Sequence, residues 1–480
     1  MQEKKIGTTH KVLRFVASFF PLFIIAMVAA GIAIAYFIDR PDFAIRGLLV
    51  AVPAIFSAIF LSKMFRKDVG HDELLLKSIS LSQRTMVLAF ITLCLLSIIF
   101  LFLSATRTWY YFGTVTLAYI LVLNQIFSKS SRAYIILIEL FLLSLNLIYS
   151  VTLKYSLYFG GTDIMSHLFL SEVTYLSGHL APGDLSTFYA SFPLFHIFNS
   201  QLSYLLGLDL QTAYFIGSGL IYSVLFIFIY YFFMKTTNNS TFSLLSCMVY
   251  SASGTVIYYG MYMITRTLAY AGLIIILYML YKKDENDRGF AYQGLAILLT
   301  IFLVLVHQVS AAQIAIILFL LLVCEHILSN ENYINTTYFS LFTAMFMGYW
   351  FYFANVFVEE LLLSRSDIQF YEEFQIKETV QMGYEWIYIL NHLDVSVFLL
   401  FALIGIGYLL WDRIKANKRN YTDYFSVFAL FALLTLVLYI PTPIQTLWQT
   451  MTLFRFDRFM LLISPFMAFA MAAGIYILYS

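Results

Sequence analysis

The sequence predicts an all-α polytopic membrane protein, on three observations. Hydrophobic residues make up 61% of the chain and charged residues 11%, where a soluble globular domain carries about a quarter charged. Mean hydropathy is +0.83. The apolar residues also gather into separate runs, each near the ~20 residues that a helix needs to cross ~30 Å of hydrocarbon.

Fourteen such runs are expected as spans, near residues 12–37, 44–63, 85–105, 107–127, 133–153, 210–234, 241–259, 264–281, 290–306, 309–328, 337–358, 391–411, 422–440 and 456–479. The start, Met1 to Arg14, is basic and leads into the first run without a small-residue cleavage site. It reads as a retained signal-anchor helix with its N-terminus in the cytoplasm. Ser191 to Leu208 is the segment a hydropathy window would add. Its polar residues His196, Asn199, Ser200 and Ser203 recur at three- and four-residue steps, opposite Phe195, Phe198, Leu202 and Leu205. That is the pattern of an amphipathic helix lying in the interface, so the segment is left outside the count.

The basic residues agree with that choice. With fourteen spans, 19 of the 28 Lys and Arg fall on the cytoplasmic side and 9 outside, whereas a fifteenth span gives 16 against 12. Both termini are then cytoplasmic. The sequons at Asn238, Asn239, Asn335 and Asn420 also lie on the inner side. Three long segments remain outside, 154–211, 359–390 and 441–455, and would roof an active site. The expected organisation is an N-terminal four-helix extension, 1–130, followed by a transmembrane core, 131–480.

Charge and cysteine usage exclude several classes. The chain has 28 basic and 27 acidic residues and no basic run long enough to track phosphates, so nucleic acid is not an expected partner. Cys94, Cys247 and Cys324 fall inside apolar runs, which gives neither a disulfide framework nor a Cys/His metal cluster. No internal repeat of the transporter kind is evident.

The residues that could carry chemistry concentrate in the outer segments. Gly160-Gly161-Thr162-Asp163-Ile164-Met165-Ser166-His167 follows an apolar run. On a helix Asp163 and His167, four apart, share a face, and Glu172, nine from Asp163, points ~180° away. Asp163 suits a carboxylate that deprotonates or orients an acceptor hydroxyl, alone or through a divalent cation, with His167 behind it. It equally suits a helix N-cap. Arg266 closes the run Tyr258 to Thr265 at the outer start of a span, and Arg455 and Arg458 lie three apart before the last one. A guanidinium fork there fits a phosphate, or simply snorkels to the headgroups. His307 marks an outer turn and, with His196, is either a functional imidazole or a hydrogen-bonded one. Segment 359–390 has seven acids and two bases interleaved with aromatic residues, a composition that suits sugar stacking or a solvated loop with interfacial anchors.

Taken in order, these features resemble the GT-C superfamily of membrane glycosyltransferases. They are an Asp soon after a span (Asp163), Phe192-Pro193-Leu194-Phe195 leading to Leu206-Gly207, an outer Arg (Arg266), and Arg458 followed by Pro465 in the last span. The resemblance covers residues 133–480. It implies transfer of a sugar from a polyprenyl- or dolichyl-phosphate carrier to a glycan, lipid or protein acceptor at the outer face of the cell membrane. Asp163 would be the catalytic acid of the first loop, Arg458 would face the lipid phosphate, and His307 would lie under the acceptor. A divalent cation, Mg or Mn, is an open expectation, because the segment Tyr258 to Thr265 lacks the second acid of many relatives. An oligosaccharide polymerase or ligase, and a lipid or polysaccharide transporter, are the alternative functions.

Overall fold

The computed structural model describes residues 2–37, 41–67, 82–128, 132–155, 163–282, 289–329, 332–366, 385–415, 424–439 and 458–479. Among them the regular elements are helical, with no strand. In chain order they are α1 (Gln2–Phe37), α2 (Pro41–Arg46), α3 (Leu48–Lys67), α4 (Gln83–Leu103), α5 (Trp109–Ile126), α6 (Ala133–Lys154) and α7 (Asp163–Ser177). There follow α8 (Thr187–Ala190), α9 (Leu194–Leu206), α10 (Leu210–Thr237), α11 (Ser240–Ala252), α12 (Gly254–Met261), α13 (Thr265–Tyr281) and α14 (Gly289–Val306). The last are α15 (Ser310–Leu328), α16 (Thr336–Tyr352), α17 (Asn355–Ser366), α18 (Glu385–Asn391), α19 (Leu393–Lys415), α20 (Tyr424–Tyr439) and α21 (Met460–Tyr479).

Eight of the described helices are long and apolar enough to cross a membrane, or nine if the bent pair α11–α12 counts as one span. The chain is a multi-pass, all-α membrane protein. Helices α13, α14 and α20 are apolar but shorter, so length and composition license fewer spans than the fourteen expected.

Two compact units divide the chain. The first comprises Met1–Leu76, Leu320–Asn332 and Ile368–Ser480. Its tightest seam is the crossing of α19 and α21, where a Cβ on Gly405 would meet the backbone of Ala470 and Gly474, and one on Gly474 would meet that of Phe401. Lipid gives helices no hydrophobic reason to associate, so close backbone approach at small residues supplies the contact. Helix α3 joins the other side of α19, with Ser396 Oγ donating to the Leu49 carbonyl at 2.7 Å and Phe65 stacked on Trp411.

The second unit is Lys77–Phe319 with Tyr333–Asp367. Helices α4 and α5, which the boundary expected near residue 130 sets apart, pack on α6 within it. Asn146 of α6 donates to Ser97 Oγ at 2.7 Å and accepts from the Tyr111 hydroxyl at 2.9 Å. Helices α10, α11 and α12 also pack on α6, and α13 packs on α10. Between α11 and α12 the chain turns by 59°, and at Tyr262–Ile264 it leaves the helix before α13 begins. That second break is held by Thr267 Oγ1, which donates to the Tyr262 carbonyl at 3.1 Å, and by the Tyr214 hydroxyl, which donates to the Met263 carbonyl.

The expected amphipathic helix is present as α9, but its polar stripe faces inward. His196, Asn199, Ser200 and Ser203 are buried, while Leu205 is 82% exposed. Ser200 Oγ donates to the Ser171 carbonyl of α7 at 2.8 Å, so the polar face joins α9 to α7. Gly207, at φ 63°, ends α9 in the left-handed region that glycine adopts without a Cβ penalty.

Candidate functional site

Asp163 opens α7 and is exposed. A carboxylate in the first turn is favoured by the helix dipole, and Oδ2 of Asp163 accepts a hydrogen bond from the Tyr262 hydroxyl at 2.9 Å. Tyr262 reaches it because the helix breaks there. Gly260, two residues earlier, lets α12 lie against Ile148 and Tyr222, whose atoms a Cβ would meet at 2.6 and 3.0 Å. Burial, then the Asp163 hydrogen bond and charge, push the Tyr262 phenol well above its ordinary range, while Arg266 pulls the other way. Tyr262 is therefore a neutral donor, and it stands in the fields of an acid and a base.

Arg266, in the first turn of α13, is oriented by Nη1 donating to the Tyr259 hydroxyl at 3.1 Å. Its Nε is buried without a hydrogen-bond partner. The rings of Tyr258, Tyr259 and Tyr262 pack on one another, with centroids 5.3 to 6.4 Å apart. A carboxylate, a phenol, a guanidinium and an aromatic wall thus gather at the start of α7.

His167 does not join Asp163 in that group. It is buried, and its Nδ1 lies 3.2 Å from Nε2 of His196 on α9. Tyr189 sets its ring edge-on to both imidazoles. Burial pushes His167 down to about 4 and His196 to about 3, the latter also through His167. Both rings are therefore neutral, and the pair ties α7 to α9. Glu172 is exposed on α7. His307 is buried at the start of α15, where Nδ1 accepts from the Ser310 backbone N–H at 3.1 Å and lies 2.6 Å from Ser310 Oγ, the geometry of a side chain fixed at a helix end. Toward the other end of α7 a cleft of about 330 Å³ is lined by Thr174, His179, Ser200, Gln201 and Tyr204, among others.

Arg458 belongs to the first unit, half-buried just ahead of α21. Arg455, Gly160, Gly161, Thr162 and residues 367–384 lie outside the described residues. No three His, Cys, Asp or Glu side chains converge among the described residues in a way that could hold a metal ion.

Tyr262 and Tyr259 were not singled out in the sequence. Their signal was three tyrosines within five residues just ahead of Arg266. Family models give no match to this chain, and neither the curated proteins nor the solved structures contain one.

Proposed function

We propose that the protein is a glycosyltransferase that moves a sugar from a polyprenyl- or dolichyl-phosphate carrier to an acceptor hydroxyl at the outer face of a cell membrane. The observation that carries this reading is the Tyr262 hydrogen bond to Asp163 Oδ2. It fixes one carboxylate oxygen and leaves the other to take a proton, in a group that also holds a cation. Asp163 would accept the acceptor's hydroxyl proton as its oxygen bonds to the anomeric carbon, and the bond from that carbon to the lipid phosphate would break with its electron pair on the phosphate. Arg266, whose charge acts on the same Tyr262 that binds Asp163, suits stabilisation of that leaving phosphate. Arg458 and Arg455 are the other phosphate-binding proposals. No step is routed through a metal.

This reading includes the topology of fourteen spans, with both termini inside and α7 to α9 outside. Single cysteines at Lys154 and Asp209 should label from the same side and one at Lys235 from the other, whereas opposite labelling at 154 and 209 would make α9 a crossing helix.

The deciding experiment is transfer from a polyprenyl-phosphate sugar by purified protein in liposomes. Asp163→Asn should lose at least ~100-fold, the scale of a removed general base, with expression and folding kept. Near-normal turnover would return Asp163 to a helix-start role. A carrier is the second reading, favoured by one observation, the buried Glu139 inside spanning helix α6. A carrier would form no glycosidic bond in the same assay.

A further inference from the structure

Within the second unit, α6 carries a carboxyl group that has no counter-ion among the described residues. Glu139 lies six residues into α6, about 9 Å along the helix at 1.5 Å per residue, and is 3% exposed. The five helices packed against α6 are α4, α5, α10, α11 and α12. Together they contain two charged residues, Arg84 and Lys235, and both are exposed. Their other titratable groups are tyrosines and the thiols Cys94 and Cys247, and Cys94 of α4 is within electrostatic reach of Glu139. On α6 itself the charged groups are Lys154, at the opposite end, and Arg132 at the N-cap, which is exposed and donates to the Tyr134 hydroxyl. An ionised carboxylate in that setting would be buried without a partner charge, a strongly unfavourable state for a desolvated ion.

The hydrogen bonding points the same way. Gln125, fully buried on α5, donates through Nε2 to Glu139 Oε2 at 2.6 Å. That leaves Gln125 Oε1 and Glu139 Oε1, both buried and both without a hydrogen-bond partner. Two bare oxygens beside one good hydrogen bond are what an ionised acid would leave. A proton on Glu139 Oε1 donated to Gln125 Oε1 would satisfy both at once and close the reciprocal ring of a carboxylic acid with a carboxamide.

We propose that Glu139 binds a proton as the neutral acid in a two-bond ring with Gln125, and that this proton site locks α5 to α6 inside the membrane. Loss of the proton sets a carboxylate against the carboxamide oxygen and weakens the joint. The site lies apart from Asp163 and does not depend on the reaction proposed there.

Infrared difference spectra of the full-length protein in liposomes test it, wild type minus Glu139→Gln. At neutral pH the expected difference is the carbonyl stretch of a protonated carboxyl, replaced by a carboxylate stretch at alkaline pH. Glu139→Gln keeps a ring through two amide bonds, so its melting temperature should match the wild type at neutral pH and exceed it at alkaline pH. Gln125→Leu provides the second arm: it should retain the acid band but move it to the position of a carboxyl with no amide partner. A carboxylate stretch at neutral pH overturns the proposal, as does an acid band unmoved in Gln125→Leu. So does a melting temperature that depends on Na⁺ or K⁺ in the wild type and not in Glu139→Gln, which would place a cation between the two oxygens.

Discussion

His167 on α7 and His196 on α9 face each other across 3.2 Å, both buried and both held neutral. Their ordinary value of 6.5 is lowered to about 4 and about 3, so the unfolded chain takes up protons before the folded one does. The stability of the α7–α9 pairing is therefore complete above 6.5 and falls as the pH drops from 6.5 toward 4, by roughly 1.4 kcal/mol per pH unit for each histidine. Hydrogen exchange of α7 and α9 against pH should show protection fading through that window. In His196→Gln the slope should be about half. An unchanged slope in that variant would assign the acid sensitivity to other groups.

Tyr262 should act on Asp163 rather than on the fold. Tyr262→Phe removes the phenol that fixes Oδ2, and a hydrogen bond to a charged group contributes ~1.5–3 kcal/mol. Transfer by this variant should fall about tenfold or more, with a smaller loss than in Asp163→Asn and a melting temperature close to that of the wild type. A large fall in melting temperature with normal turnover per folded molecule would make the bond structural.

The class of the fold was legible in the sequence because hydrocarbon imposes it: a chain with 61% hydrophobic residues and well-spaced apolar runs has helices as its solution. Asp163 was legible for a local reason, as an acid just beyond an apolar run. Its partner was not. Tyr262 lies 99 positions away and reaches Asp163 through a helix break that no glycine or proline at Tyr262–Ile264 announces. The inward direction of the polar face of α9 was not legible for a different reason. Periodicity tells that His196, Asn199 and Ser203 share a face, but it cannot tell water from the polar backbone and imidazole of α7. Glu139 passed unnoticed because a single acid does not interrupt the apolar run around it.

The glycine crossing of the first unit predicts a strong size limit. A Cβ on Gly474 would strike the backbone of Phe401, which cannot rotate aside, so Gly474→Leu must separate α19 from α21. Overpacking of this kind costs ~1–3 kcal/mol or more. Thermal unfolding in detergent should show that loss for Gly474→Leu, and little for Gly31→Ala, where a Cβ meets nothing within 4 Å. Equal melting temperatures in the two variants would mean that the crossing is not a stabilising contact.

Arg266 has one nitrogen committed to Tyr259 and a buried Nε without a partner, and Tyr262 lies in its field and that of Asp163. Arg458 belongs to the first unit, just ahead of α21. If Arg266 stabilises the leaving phosphate, Arg266→Lys should lose about 10- to 100-fold in kcat, because an ammonium keeps the charge but not the planar fork that serves Tyr259 and a ligand together. KM for the lipid donor should move less than kcat, since the charge on the bridging oxygen develops in the transition state. Arg458→Lys in the same assay separates two outcomes. A comparable fall there, with Arg266→Lys near normal, moves the phosphate to Arg458. A fall in Arg266→Lys alone keeps it beside Asp163, and losses in both, with a raised donor KM confined to Arg458→Lys, divide binding of the lipid phosphate from stabilisation of the leaving group.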